Sequence, residues 1–553
     1  MLYLRLLLLG VLLVPFPASS AQTASPRIVG GSDAPEGYWP WMAKIYIQDD
    51  GKTFLCGGSL ISSRWVLTAA HCMERSSSTP DNLQYVSPTS VSITIDQEQR
   101  TAQQIMVHDD YADLNHDMAL VRIATVNSEY WPSLIDTDAI EQLETAPFSQ
   151  RDEALTALGW GDTGNGVLST TLQEAQLDYL PRQECREQTN LAPSNITDFV
   201  LCAAELNPKN GVYQDTCFGD SGGPLFLGRD RSPRLAGLTS FGEQTCATGA
   251  PAGYTNLAAE TGELESLTLT AGFPLIDLAL SWDNSPPDRL YALPAGSQTL
   301  QIRLASGQNS VSNPTLSPSL SGASTASSQW QSCSSPLIGD SCIPVSSLDG
   351  SQVEPLTISG NNGPDQVVTV TVQGTADEEE FRRHNNRLLQ TVVFSSNPDI
   401  TLQASQTQSS ASQAGIAVTL GNASPFNGAS GAEIRFNLPA NLTLSNADSL
   451  GCTGTTPVRC PLGDLPAGAG ETLPLVFQSD NGLSRSLSIS GHINETDVPA
   501  GDTSTTLTVN FTDPPATATS GSSGGGGSLS LSLLITGLLL TRRRQPCPML
   551  RTC

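Results

Sequence analysis

Positive charge is scarce in this chain of 553 residues: Lys and Arg number 27 against 54 Asp and Glu, for a formal net charge of −27. An exterior so acidic repels a phosphate backbone, which excludes nucleic acid as a partner and suits a soluble, self-repelling protein in an extracellular medium. Histidine is scarcer still. There are five, and none stands in ligand spacing with the 12 cysteines, so no metal and no cofactor is expected. Long hydrophobic runs are missing too. The two apolar stretches, 6–14 and 529–540, both fall short of the ~17–25 residues that span a bilayer unaided.

At ~100–200 residues per domain, the length predicts three or four units. Residues 1–21 read as a signal peptide, with Arg5 in a positive n-region, an apolar core and Ser19-Ser20-Ala21 as a small-residue cleavage site. Residues 22–27 then form a short propeptide. Export delivers the chain to an oxidising compartment, where cysteines are read as disulfides.

One stretch carries most of the chemistry: Asp215-Thr216-Cys217-Phe218-Gly219-Asp220-Ser221-Gly222-Gly223-Pro224, the setting of a hydrolytic serine. Serine is a weak nucleophile at neutral pH, so it needs a base in hydrogen-bond reach and a group that fixes that base's tautomer. Thr68-Ala69-Ala70-His71-Cys72 supplies an imidazole, and His116-Asp117-Met118-Ala119-Leu120 a carboxylate followed by apolar residues. The order His, Asp, Ser is that of chymotrypsin-type proteases and differs from those of subtilisins and α/β-hydrolases. With Arg27-Ile28-Val29-Gly30-Gly31 upstream, residues 28–262 resemble a trypsin-like serine protease domain made as a zymogen. His108 and His116 are rival bases, but neither follows Ala-Ala and precedes Cys as the family's histidine does.

The resemblance implies two packed β-barrels with the active site between them, in keeping with short apolar runs separated by Gly, Pro and Asn/Asp turns. It implies that His71, Asp117 and Ser221 are catalytic, and that the N–H groups of Gly219 and Ser221 form the oxyanion hole. Asp215 becomes the floor of the primary specificity pocket, favouring protein substrates with Arg or Lys before the scissile bond. Ser240 and Gly242 fall in the segment that binds substrate backbone, and Ala252 replaces the usual glycine of the pocket wall. Cleavage of Arg27–Ile28, by a trypsin-like protease or by this one, would free an Ile28 ammonium to pair with Asp220. Three disulfides are likewise implied: Cys56–Cys72, Cys185–Cys202 and Cys217–Cys246. The family's closing amphipathic helix is only weakly written, over 257–266. A non-proteolytic esterase finds no nucleophile elbow here.

Beyond the protease the text turns rich in Ser, Thr, Gly and Asn, with period-2 segments such as Val367-Val368-Thr369-Val370-Thr371-Val372. An internal repeat pairs Cys333 and Cys342 with Cys452 and Cys460, each pair followed by similar strand-like text. Two β-sandwich modules of immunoglobulin-like type, 263–398 and 399–513, each with a local disulfide, complete an all-β chain. The charged string Asp377-Glu378-Glu379-Glu380-Phe381-Arg382-Arg383-His384 reads as a solvated loop.

The end of the chain has its own pattern: a Pro/Gly/Ser linker with a glycine motif (514–528), a hydrophobic helix (529–541) and a basic tail (542–553). This resembles the GlyGly-type sorting signal of Gram-negative secreted proteins; a GPI signal, the eukaryotic rival, would end in its hydrophobic tail. The whole layout resembles the type II-secreted surface proteases of such bacteria. That implies export by the type II machinery, a transient inner-membrane anchor held by the arginines, and a membrane protease cutting at the glycines. The rival class is a surface adhesion protein with an inactive protease-like domain. The intact set His71, Asp117, Ser221, Gly219 and Arg27-Ile28 argues against it.

Overall fold

The computed structural model describes residues 28–511, apart from 80–81, 113, 128–129, 189–192, 209–210, 230–232, 323, 328–340 and 362. The leader, the propeptide with Arg27, Cys333 and everything from 512 onward lie outside the described residues, as do the expected hydrophobic helix and basic tail. Among the described residues no helix is long and apolar enough to cross a membrane.

Strands dominate, for the reason the alternation suggests. Val91–Ile95 places valine and both isoleucines inward and Ser92 and Thr94 at the boundary. A seven-stranded antiparallel sheet runs in the order Glu98–Thr101, Val91–Ile95, Met42–Asp49, Lys52–Leu60, Trp65–Thr68, Ala119–Arg122, Gln104–Val107. The second sheet closes on itself: Gln173–Leu180, Leu155–Gly159, Pro224–Leu227, Arg234–Phe241, Ala252–Asn256 and Val200–Ala204 follow one another, and the last pairs back with the first. These two units form the trypsin-like half of an all-β molecule.

Two four-stranded sheets make each downstream module. In the first, one sheet contains Ser297–Ser306 paired with Ser351–Ser359, and the other Gln366–Thr375 paired with Arg387–Phe394. In the second, Gln413–Asn422 and Gly470–Ser479 face a sheet built on Ala429–Phe436 and Arg485–His492. Each module buries its own apolar core. Cys452 and Cys460 are bonded to each other, and Cys342 is disulfide-bonded.

Two expectations are corrected. The closing helix is Thr261–Thr270, four residues later than expected at each end, and its Leu264 and Leu267 enter the largest core of the protease half. Just past this helix the Phe273 carbonyl accepts the Trp65 indole N–H at 3.1 Å, while Arg64 and Arg122 lie over its ring. Protease packing thus runs past the boundary drawn at 262. The charged string 377–384 is not a solvated loop. Phe381 is 1% exposed within the protease core, its carbonyl accepts the Leu134 N–H at 2.9 Å, and Glu379–Glu380 pairs in parallel with Leu275–Ile276. Charge masked one buried aromatic. The flanking charges are matched, with Arg382 on Asp277 and the Ile135 carbonyl, Arg64 on Glu379 and His384 on Asp136.

Candidate active site

Strand register brings His71 and Asp117 together. Thr68 lies opposite Ala119, so the chain just after one strand and just before the other emerges at the same sheet end. There His71 begins a short 3₁₀ turn, and Asp117, 1% exposed, faces it. Asp117 Oδ2 lies 2.7 Å from His71 Nδ1, and Oδ1 accepts the His71 backbone N–H at 2.9 Å. A carboxylate engaged in this way fixes the Nδ1–H tautomer and leaves Nε2 as the basic atom.

The electrostatics follow from that contact. Burial disfavours the His71 imidazolium, but the charge and hydrogen bond of Asp117 outweigh it and raise the imidazole above its ordinary value. Burial likewise resists ionisation of Asp117, yet His71 and two further hydrogen bonds hold its carboxyl below the usual range. One of those bonds comes from the Ser240 hydroxyl. The sequence placed Ser240 in the substrate-binding segment; the structure adds an anchoring role on Asp117. Thr255 Oγ1 donates to the Asp117 carbonyl at 2.7 Å, a contact that nothing in the sequence marked.

Ser221 reaches the cleft from the other barrel. It shares the wall of one cavity with His71, Cys56, Cys72, Leu55 and Glu74. Its carbonyl accepts the Gly57 N–H at 2.8 Å, and the Cys56–Cys72 disulfide staples the strand behind it to the His71 turn. The adjoining backbone demands glycine. Gly222 has φ +73°, and a Cβ there would overlap Thr68 Oγ1 and approach the Ala69 nitrogen to 2.8 Å. Gly219, at φ +97°, turns the loop just before the nucleophile.

A second cavity, of about 250 Å³, opens beside Ser221 and is lined by Asp215, Ser240, Gly242 and Ala252 among others. Cys217–Cys246 and Cys185–Cys202 are both formed. Burial pushes the Asp215 carboxyl up to about 6, despite the Ala247 N–H that it accepts at 2.7 Å. Such a carboxylate lacks a counter-charge, which a guanidinium or ammonium entering the cavity would supply.

Behind the nucleophile, Asp220 is completely buried and burial pushes it up to about 7, although it accepts the N–H groups of Gly161 at 2.6 Å and Cys217 at 2.9 Å. Ile28 is also fully buried, and Val29 bridges to Asp215. The segment after the expected cleavage point is thus seated within the second barrel.

Among the described residues two groups have metal-like spacing: Cys56, His71 and Cys72; and His108, His116 and Glu260. The first has its sulfurs tied up in a disulfide.

A closed all-β barrel beside a second curled sheet, with an Asp–His pair and a glycine-flanked serine at their junction, is the arrangement of a trypsin-like serine protease domain. Comparison with known proteins gives the same result: residues 28–260 match the Trypsin family. The chain is 34% identical to Ovochymase of Halocynthia roretzi over 250 residues, which is 44% of this chain and 15% of that protein. The first half of the chain is therefore a trypsin-like serine protease domain.

Proposed function

We propose that the chain is a secreted serine endopeptidase that cleaves after Arg or Lys. His71 takes the Ser221 proton as the hydroxyl attacks the scissile carbonyl, then returns it to the leaving amine; Asp117 stabilises the imidazolium; water repeats the cycle on the acyl-enzyme. The N–H groups of Gly219 and Ser221 bind the developing oxyanion, where one donor is typically worth ~2.7–4 kcal/mol of barrier. The observation that carries the specificity is Asp215, a buried carboxylate lining the cavity next to Ser221.

Zymogen activation has its own support. Among the described residues no cation pairs with buried Asp220, and an Ile28 ammonium released by cleavage after Arg27 would meet that deficit and order the oxyanion loop. The protease domain supports the enzyme reading over an inactive adhesion protein. Export, cell-surface delivery in a Gram-negative bacterium and trimming at the 524–527 glycines remain part of this reading, carried by the leader and tail patterns.

Turnover of matched peptide amides with Arg, Lys, Phe or Ala before the scissile bond tests the assignment. Wild type should favour Arg and Lys, and Asp215→Ser should lose that preference while remaining folded. A wild-type preference for Phe or Ala would refute it.

A further inference from the structure

The two residues leading into Asp117 on either side of Asn115 hold costly backbone conformations. Leu114 has φ +65° and His116 φ +53°, both in the left-handed region that side chains with a Cβ avoid. The Met118 N–H then closes back on the His116 carbonyl at 2.7 Å, so Asp117 sits at the apex of a three-residue turn. The aim of its carboxylate depends on that turn being held.

What holds it comes from a distant element. Glu260, 3% exposed at the start of the Thr261–Thr270 helix, places its two oxygens 3.0 and 3.3 Å from His116 Nδ1, and one of them 3.0 Å from His108 Nε2. The His116 ring lies 4.6 Å from the His108 ring and 3.8 Å from that of Phe199. Protons follow from these contacts. His108 Nδ1 accepts the Asp110 N–H at 3.0 Å, so its Nε2 carries hydrogen and donates to Glu260; His116 donates from Nδ1. The trio has metal-like spacing, but in this arrangement both nitrogens that face the carboxylate bear protons, and the cluster is a hydrogen-bonded clamp.

We propose that Glu260 is a positioning residue for the triad, acting through His116 to hold the left-handed turn that aims Asp117 at His71. This rests on the proteolytic reading above. Glu260 touches neither Asp117 nor Ser221 by any of these contacts; its most direct route to Asp117 is the backbone of residue 116, and a second runs through His108, whose backbone N–H donates to the Met118 carbonyl at 3.0 Å.

A double-mutant cycle on the activated full-length enzyme tests this, combining Glu260→Gln with His116→Gly. Glycine takes positive φ freely, so it removes the need for an anchor. Glu260→Gln alone should lower kcat about tenfold or more at unchanged KM on an Arg amide substrate, and slow labelling of Ser221 by a fluorophosphonate in parallel. In the His116→Gly background the same change should have little further effect. Equal losses in both backgrounds, or wild-type kcat in Glu260→Gln, would overturn the proposal. So would a Glu260→Gln chain that fails to fold and is not rescued by His116→Gly. Failure of the proteolytic reading looks different: wild type itself would neither turn over nor be labelled.

Discussion

Asp117 makes the most demanding set of contacts of any side chain in the site, with the His71 ring, the His71 backbone and Ser240 all donating to it. Asp117→Asn should keep the fold and lower kcat by about 10⁴, because an amide cannot hold the productive tautomer. The sign of the pH dependence follows from His71. Catalysis needs the neutral ring, and its raised pKa means that activity falls, as pH is lowered, through a value above the ordinary imidazole range; a kcat/KM profile measures this. Asp215 adds a separate effect. It is ionised only above about 6, so KM for basic substrates should climb below that pH, and Asp215→Ser should remove the climb. His71, Asp117 and Ser221, the residues proposed as catalytic, were legible because each sits in a short local string. The Ser240 hydroxyl on Asp117 and the Glu260 clamp were not, since they join residues 123 and 144 positions apart and only the folded barrels bring them together.

At the scale of elements, strands were the easier part. Alternation marks Val91–Ile95 and Gln366–Thr375 because one face is buried and the other is not. The Thr261–Thr270 helix was displaced in the sequence reading because Leu257 looks like its first buried residue, whereas the chain stays extended through Asn256 and turns before Thr261. The segment 377–384 misled for a different reason: seven of its eight residues are acidic or basic, and the partners of Glu379, Arg382 and His384 are Arg64, Asp277 and Asp136, far along the chain. Phe381→Ala should cost about 3–5 kcal/mol, the usual range for emptying a buried aromatic site. Its effect should appear in the transition that includes the protease half, though the residue follows that half in sequence; calorimetry of the full chain measures this.

At the scale of the molecule, the protease half and the first module share a core through Leu275 and Phe381 and should melt together. Their junction contains a titratable group. Burial pushes Glu380 up to about 8, although it accepts the Leu278 N–H at 2.8 Å and an Asn386 N–H at 2.5 Å. An acid raised in the folded state binds its proton there while the unfolded chain has lost it. Stability should therefore decline as pH rises from about 4 to about 8 and level off beyond. Glu380→Gln should flatten that decline, with the otherwise unpartnered Asn386 Oδ1 as an acceptor for the new amide. Thermal melts across pH 5–9 would show it, and an unchanged slope would assign the decline to other groups. The second joint is polar too, with Arg289 reaching Asp399 at 2.9 Å and Asp502 at 2.7 Å.

The burial of Phe381 also sets an order of events during synthesis. The strands of the protease emerge first, but a side chain of their core lies roughly 110 residues beyond the end of the closing helix. At ~5–20 residues per second, the ribosome needs on the order of 5–20 s to supply it. For that interval Ser221, His71 and Asp117 already exist in a chain whose core has a gap. Chain length thus acts as a clock, delaying a fully consolidated protease until the module that accompanies it has been made.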